Sequence, residues 1–139
     1  EAPNCTVKKT LPMLEFRCAE AMETDFPESD AFIISDMLHY LPEEQQFALL
    51  EKCLSKLRPG GVILVREGNS SDVKGQKMTA LSEVMSTRVF SFNKTSGKLH
   101  FTSASILRDY AERLGMDFSE VHKNRLSANT LYQFKSTGL

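Results

Sequence analysis

The sequence has no block of basic residues, no apolar run of membrane length and no cysteine pair at motif spacing, and each absence removes a class of function. Its 17 Lys and Arg and 18 Asp and Glu are spread along 139 residues, for a formal net charge of −1. Nothing in it offers phosphate backbones or anionic lipid a concentrated target, so nucleic acid is not expected as a partner. No apolar stretch approaches the roughly 20 residues of a membrane-spanning helix, and the N-terminus lacks the charged-then-apolar pattern of a signal peptide. A cytoplasmic location is therefore expected. Cys5, Cys18 and Cys53 are odd in number and widely spaced, with no second Cys or His two to four residues away. That spacing argues against a disulfide framework, a zinc site and a CxxC redox pair, and no metal is expected.

What is present is the composition of an ordinary globular domain, 41% hydrophobic and 25% charged, in a chain long enough for one core. Strand and helix signals alternate. "MLEFRC" (13–18) is a short apolar strand candidate, and "AFIIS" (31–35) is the near-continuous apolar run of a strand buried on both faces of a parallel sheet. A helix follows, with Pro42 suited to its first position, Glu43 and Glu44 at the positive end of its dipole, and Phe47, Leu50, Leu54 and Leu57 recurring on one face. Lys56 and Arg58 complement its other end, and "PGG" (59–61) stops it. "VILVREG" (62–68) is then a second apolar strand ending in a charged pair.

Strand, helix and strand with short links form a right-handed crossover, so the two strands are expected to be parallel, with Asp36 and Glu67 at their carboxyl ends. In open parallel sheets ligands bind beyond those ends. Asp36, His39, Arg66 and Glu67 would then line one rim of a cleft; the alternative is that they cap strand ends and meet solvent.

Residues 69–101 break the alternation. They carry a helical face of Met78, Leu81, Val84 or Met85, and Arg88, then a turn at Ser96-Gly97. The segment is too long for an ordinary link and is expected to be a lid-like, substrate-facing insertion, or else core packing. "TSASILRDYAERLG" (102–115) predicts a helix with Thr102 or Ser103 as N-cap, an apolar face of Ile106, Leu107, Tyr110, Ala111 and Leu114, and Gly115 as its stop. Residues 117–126 and 129–136 predict a closing antiparallel hairpin.

The combination of "DAFIISDMLHYLP", a helix ending "LRPGG", the strand "VILVREG", an insertion, a helix and a final strand pair resembles the C-terminal half of the class I S-adenosylmethionine-dependent methyltransferases, over most of residues 13–137. Within that family the chain looks most like bacterial small-molecule or lipid-type enzymes. The resemblance implies an α/β, Rossmann-like fold, here a single partial domain over residues 1–139, with a mostly parallel sheet and a C-terminal antiparallel hairpin. The family's first strand, its GxGxG turn and the acid ending its second strand have no counterpart among the seven glycines, which stand at 60, 61, 68, 75, 97, 115 and 138. The first two strands are thus expected to be missing, with the chain forming part of a longer polypeptide and, alone, inactive.

Carried over residue by residue, the resemblance implies S-adenosylmethionine as cofactor and a small organic or lipid-like acceptor. In the turn after the third strand, Cys18 holds the usual acid position beside Ala19, with Glu20 two residues on, and these would meet the adenine. Asp36, Met37 and Leu38 would border the methionine and ribose, and Tyr40, Arg66, Glu67 and Arg88 would face the substrate. His39 would act as general base, since an unperturbed imidazole, with a pKa of about 6.5, accepts a proton near neutral pH; the alternative is packing at the helix start. His100 and His122 have no partner at metal or triad spacing and are expected to be structural or exposed. A second function from a different class is a non-catalytic association module that dimerises through an exposed sheet edge.

Overall fold

The computed structural model describes residues 13–68, 100, 102–123 and 129–137. Its elements run β1 (Ser29–Ser35), a 3-10 turn (Leu38–Tyr40), α1 (Glu43–Lys56), β2 (Leu57–Gly68), α2 (Ala104–Leu114), β3 (Met116–Lys123) and β4 (Asn129–Ser136). The strands form one sheet in the order β1-β2-β4-β3. β1 is parallel to β2, with Ile34 opposite Val65 and Ser35 opposite Arg66, while β4 is antiparallel to both β2 and β3. The parallel crossover and the closing hairpin thus follow expectation. The described sheet is mixed, because the return strand of the hairpin lies beside β2.

Pro42 is the N-cap of α1, one position earlier than its sequence suggests, with ψ 153°, and Glu43 and Glu44 occupy the first turn. The buried stripe is Gln46, Leu49, Leu50 and Cys53. It is rotated from the expected face, so that Phe47 and Leu54 are only partly buried at its flank. The chain passes from α1 into β2 without a loop, so Leu57 and "PGG" belong to the strand. Gly61 is needed there: a Cβ at this position would lie 2.7 Å from the carbonyl oxygen of Asp30, where the β1–β2 register shifts.

α2 is capped by the Ser103 side chain, which accepts a hydrogen bond from Ile106 N–H at 3.3 Å, and it ends at Gly115 in the left-handed conformation. Its Leu107, Tyr110 and Ala111 join Ile34, Leu49, Leu50, Ile63, Val65, Tyr132 and Phe134 in one core. Burying each of the Leu, Ile, Val and Phe side chains fully stabilises the fold by about 1.5–3 kcal/mol relative to exposure. Period-two alternation puts Ile63, Val65 and Glu67 on this covered face of β2 and leaves Arg66 on the other.

β1 departs from expectation. Ile34 is buried, but Ile33 is 73% exposed, because α1 covers one face and no described residue covers the other. Residues 13–18 form no strand and pair with none of the described ones, and Met13, Leu14 and Phe16 are exposed. An apolar stretch becomes a strand only where another strand takes up its backbone hydrogen bonds. Nearly all of the insertion, with Arg88, and the hairpin link lie outside the described residues. No described helix is long and apolar enough to cross a membrane.

Candidate functional site

The chain leaves β1 at Ser35 and turns at Asp36, whose φ of 51° lies in the left-handed region that costs most residues about 1–2 kcal/mol and is best tolerated by Gly, Asn and Asp. Asp36 N–H donates to the carbonyl of Arg66 at 2.9 Å, extending the parallel pairing by one residue before the direction changes. On the open face, the Asp36 carboxylate pairs with the Arg66 guanidinium and accepts from Ser35 Oγ at 3.1 Å. Both charged groups are about half exposed, so solvent screens this pair and it contributes little to stability.

On the covered face, one residue along β2, lies Glu67, 1% exposed. Its Oε1 accepts from the backbone N–H groups of Met37 at 2.9 Å and Leu38 at 2.7 Å. Its Oε2 lies 2.7 Å from Nδ1 of His39, itself buried. A carboxylate can only accept, so the hydrogen is assigned to Nδ1, and in the neutral ring Nε2 becomes the basic nitrogen. Three N–H donors converge on one carboxylate, which is the arrangement a buried charge needs. The Tyr40 ring packs over His39, with centroids 4.2 Å apart, and is itself 42% exposed.

Several sequence assignments change. The sequence puts Glu67 on a substrate-facing rim; both its oxygens are committed to the 3-10 turn and its lead-in, so it orients His39. Leu38 is fully buried in the core, and its N–H and that of Met37 are already bonded to Glu67. Leu38 thus turns its side chain into the core with its N–H and carbonyl both bonded, and Met37 keeps its side chain for other contacts. Asp36 and Arg66 stand at the open end of β1 and β2 as expected, but bound to each other. Cys18, Ala19 and Glu20 are exposed, and Glu20 opens a turn in which its carbonyl accepts from Glu23 and Thr24 N–H. Arg88 lies outside the described residues.

Sequence reasoning missed two residues. Lys52 on α1 donates to the carbonyls of Ala21 and Met22 at 2.9 and 3.0 Å and sits 4.5 Å over the Phe26 ring, fastening the Glu20 turn to the helix. Gln46, 1% exposed, donates to the carbonyls of Leu38, Leu41 and His100. Its signal was legible as a polar residue at i−3 and i−4 from Leu49 and Leu50. His100 N–H in turn donates to the carbonyl of His39 at 2.8 Å.

Among the described residues, no group of three or more His, Cys, Asp or Glu is placed to hold a metal. The groups that could meet a nucleoside-containing cofactor are exposed carboxylates: Asp36 at the carboxyl end of β1, with acceptor capacity beyond its pairing with Arg66, and Glu20 in the turn whose Ala21 lines a groove with Ser35 and Met37. The residues present fit one side of such a group.

Known proteins resemble this chain in sequence and in fold. The model of a family described as the O-methyltransferase domain matches residues 1–104. Human N-acetylserotonin methyltransferase, solved with S-adenosylmethionine, superposes with a TM-score of 0.65 at 20% identity, over 88% of this chain and 33% of its own. An O-methyltransferase family 2 protein from Planctomyces limnophilus, solved with apigenin, gives 0.64 at 23% identity, over 86% and 34%. Carboxy-S-adenosyl-L-methionine synthase of Helicobacter hepaticus is 36% identical over 58 residues, 42% of this chain and 24% of that protein. The chain spans about a third of the length of these solved structures and about a quarter of the synthase. On the family match, the chain belongs to the O-methyltransferase domain family.

Proposed function

We propose that this chain carries the acceptor side of a methyltransferase active site, in which His39, oriented by Glu67, takes the proton from a hydroxyl of a small organic or lipid-like substrate. The observation that carries the reading is the 2.7 Å contact between His39 Nδ1 and Glu67 Oε2, with the other carboxylate oxygen fixed by two backbone amides. That arrangement holds the ring in one tautomer and stabilises the imidazolium formed when the proton arrives at the opposite nitrogen. S-adenosylmethionine, when bound, supplies an electrophilic methyl group. Glu20 and Asp36 would hold its nucleoside part, with Cys18, Ala19 and the Met37 side chain beside it. Tyr40 on the turn and Arg66 on β2, both exposed, would meet the acceptor, as would Arg88, which lies outside the described residues. Little further chemistry is required of the protein, because alignment in a water-poor cleft supplies much of the rate.

β1 is an edge strand of the described sheet, and its unpaired backbone edge supports a longer parent polypeptide whose remaining strands pair there, with Ile33, 73% exposed, on a face that further elements would cover. An apolar groove of about 450 Å³ beside it, lined by Phe26, Phe32, Ile33, Leu49 and Cys53 among others, supports the same reading. It equally suits a second copy of the chain, which is the association-module reading. The experiment is turnover of S-adenosylmethionine by the full-length protein and its His39→Ala variant with phenols and aliphatic alcohols. A base role predicts a loss of roughly 100-fold or more. An unchanged rate in a folded variant would remove His39 from the chemistry, and no turnover by either protein would favour the association module.

A further inference from the structure

Gln46 takes no part in the chemistry above, yet it is a carboxamide placed on the apolar stripe of α1 at 1% exposure. A buried polar group persists where hydrogen bonds offset its desolvation. Its Nε2 lies 3.0 Å from each of the carbonyl oxygens of Leu38, Leu41 and His100. Two hydrogens serve three acceptors, so one is shared. Turned over, the amide would set its oxygen against three carbonyl oxygens with no donor between them, which fixes the orientation. Among the described residues Oε1 accepts from no group, so the side chain acts as a donor.

The three acceptors share a position in the fold. Leu38 begins the 3-10 turn and Leu41 is its C-cap, and the closing bond of the turn runs between them at 2.9 Å. His100, 54 residues along from Gln46, is tied to the same turn by both sides of its backbone: its N–H holds the His39 carbonyl, and its carbonyl is held by Gln46. A ring of bonds therefore encloses the turn that carries the imidazole. An apolar side chain of the same volume would fill the space without making any of them.

We infer that Gln46 is a positioning residue: by clamping both ends of the turn to His100, it sets the direction in which His39 presents its ring to Glu67. The inference rests on the reading of His39 as the proton acceptor, and it places the effect of Gln46 on turnover, not on cofactor binding. Misplacing a reacting group by about 1 Å can cost roughly 100-fold.

Two measurements on the full-length protein test it. In the unaltered protein, the Gln46 side-chain amide should exchange with solvent at least about tenfold more slowly than that of its exposed neighbour Gln45; equal rates would overturn the clamp, whether or not any variant folds. In Gln46→Met, nuclear magnetic resonance should show the His39 Nδ1 proton exchanging faster. Turnover should fall roughly 10- to 100-fold, with the KM for S-adenosylmethionine within about twofold. A folded variant that keeps both the proton signal and the rate would overturn the inference, as would a loss confined to KM. His39→Asn separates the two claims. If that variant turns over normally, the base reading fails, while the response of the Nδ1 proton to Gln46→Met still decides whether Gln46 positions the ring.

Discussion

Replacing Glu67 with Gln changes one oxygen for an NH2 group, and its effect can be worked from the contacts around it. The retained oxygen can still accept from Met37 and Leu38 N–H, at 2.9 and 2.7 Å in the parent. The new NH2 then faces His39 Nδ1, where two donors cannot meet. The ring resolves the conflict by moving its hydrogen to the other nitrogen, and the nitrogen needed to receive a proton becomes an N–H. The comparable change in serine proteases lowers kcat about 10⁴-fold with the geometry intact. A general base contributes about 10²–10⁴-fold, so a loss of roughly 10³-fold is expected, or about 4 kcal/mol of transition-state stabilisation. Stability should suffer less. Charge-assisted hydrogen bonds are about twice as strong as neutral ones, so weakening the two amide bonds costs on the order of 2 kcal/mol, offset in part because no charge is then buried. Single-turnover methyl transfer by the full-length protein, alongside a urea melt, separates the two effects. A Glu67→Gln protein that is folded and retains kcat within about threefold would refute the tautomer argument.

Gly61→Ala should destabilise by about 1–3 kcal/mol in a denaturant melt, because its Cβ would meet the Asp30 carbonyl oxygen at 2.7 Å and a backbone atom between paired strands cannot move aside. Leu50→Ala, at a site with no solvent exposure, should cost about 2–5 kcal/mol by the same assay. The Cys53 thiol, pushed up to about 11 by burial, should resist alkylation at neutral pH and become labelled only as the protein unfolds, as read by mass spectrometry across a urea series. Lys52→Met should weaken S-adenosylmethionine binding more than it slows turnover, since among the described residues Lys52 bonds to the Ala21–Met22 turn and not to His39 or Glu67; equal effects on both would contradict that assignment.

The central crossover was legible because its signals agree. An apolar run, a proline-led helix with acids in its first turn and a second apolar run leave few alternatives to a parallel pair, and β1 and β2 are parallel. His39 was legible as a candidate only by its place after the strand. Its partner was not, because Glu67 is 28 residues away and the choice between the two faces of β2 depends on where α1 and the hairpin pack. Arg66 and Glu67 look alike in sequence as a charged pair ending a strand. Period-two alternation sends one to solvent and the other into the core, and the side that α1 covers decides which. The stripe of α1 was read one step away, at Phe47 and Leu54, because leucines occur on both sides of it. The buried polar Gln46 marks its true centre. Residues 13–18 misled because apolar composition signals a strand only when a partner strand is available to pair with it.

The most direct test of the central claim is the pH dependence of kcat/KM for methyl transfer to an aliphatic alcohol, which does not itself ionise in the accessible range, by the full-length protein and its His39→Ala variant. If His39 receives the acceptor's proton with Glu67 behind it, the rate of the parent falls on the acid side as one group becomes protonated. The variant then runs roughly 100-fold slower with that limb absent. An acid limb that survives unchanged in a folded His39→Ala protein would contradict the account.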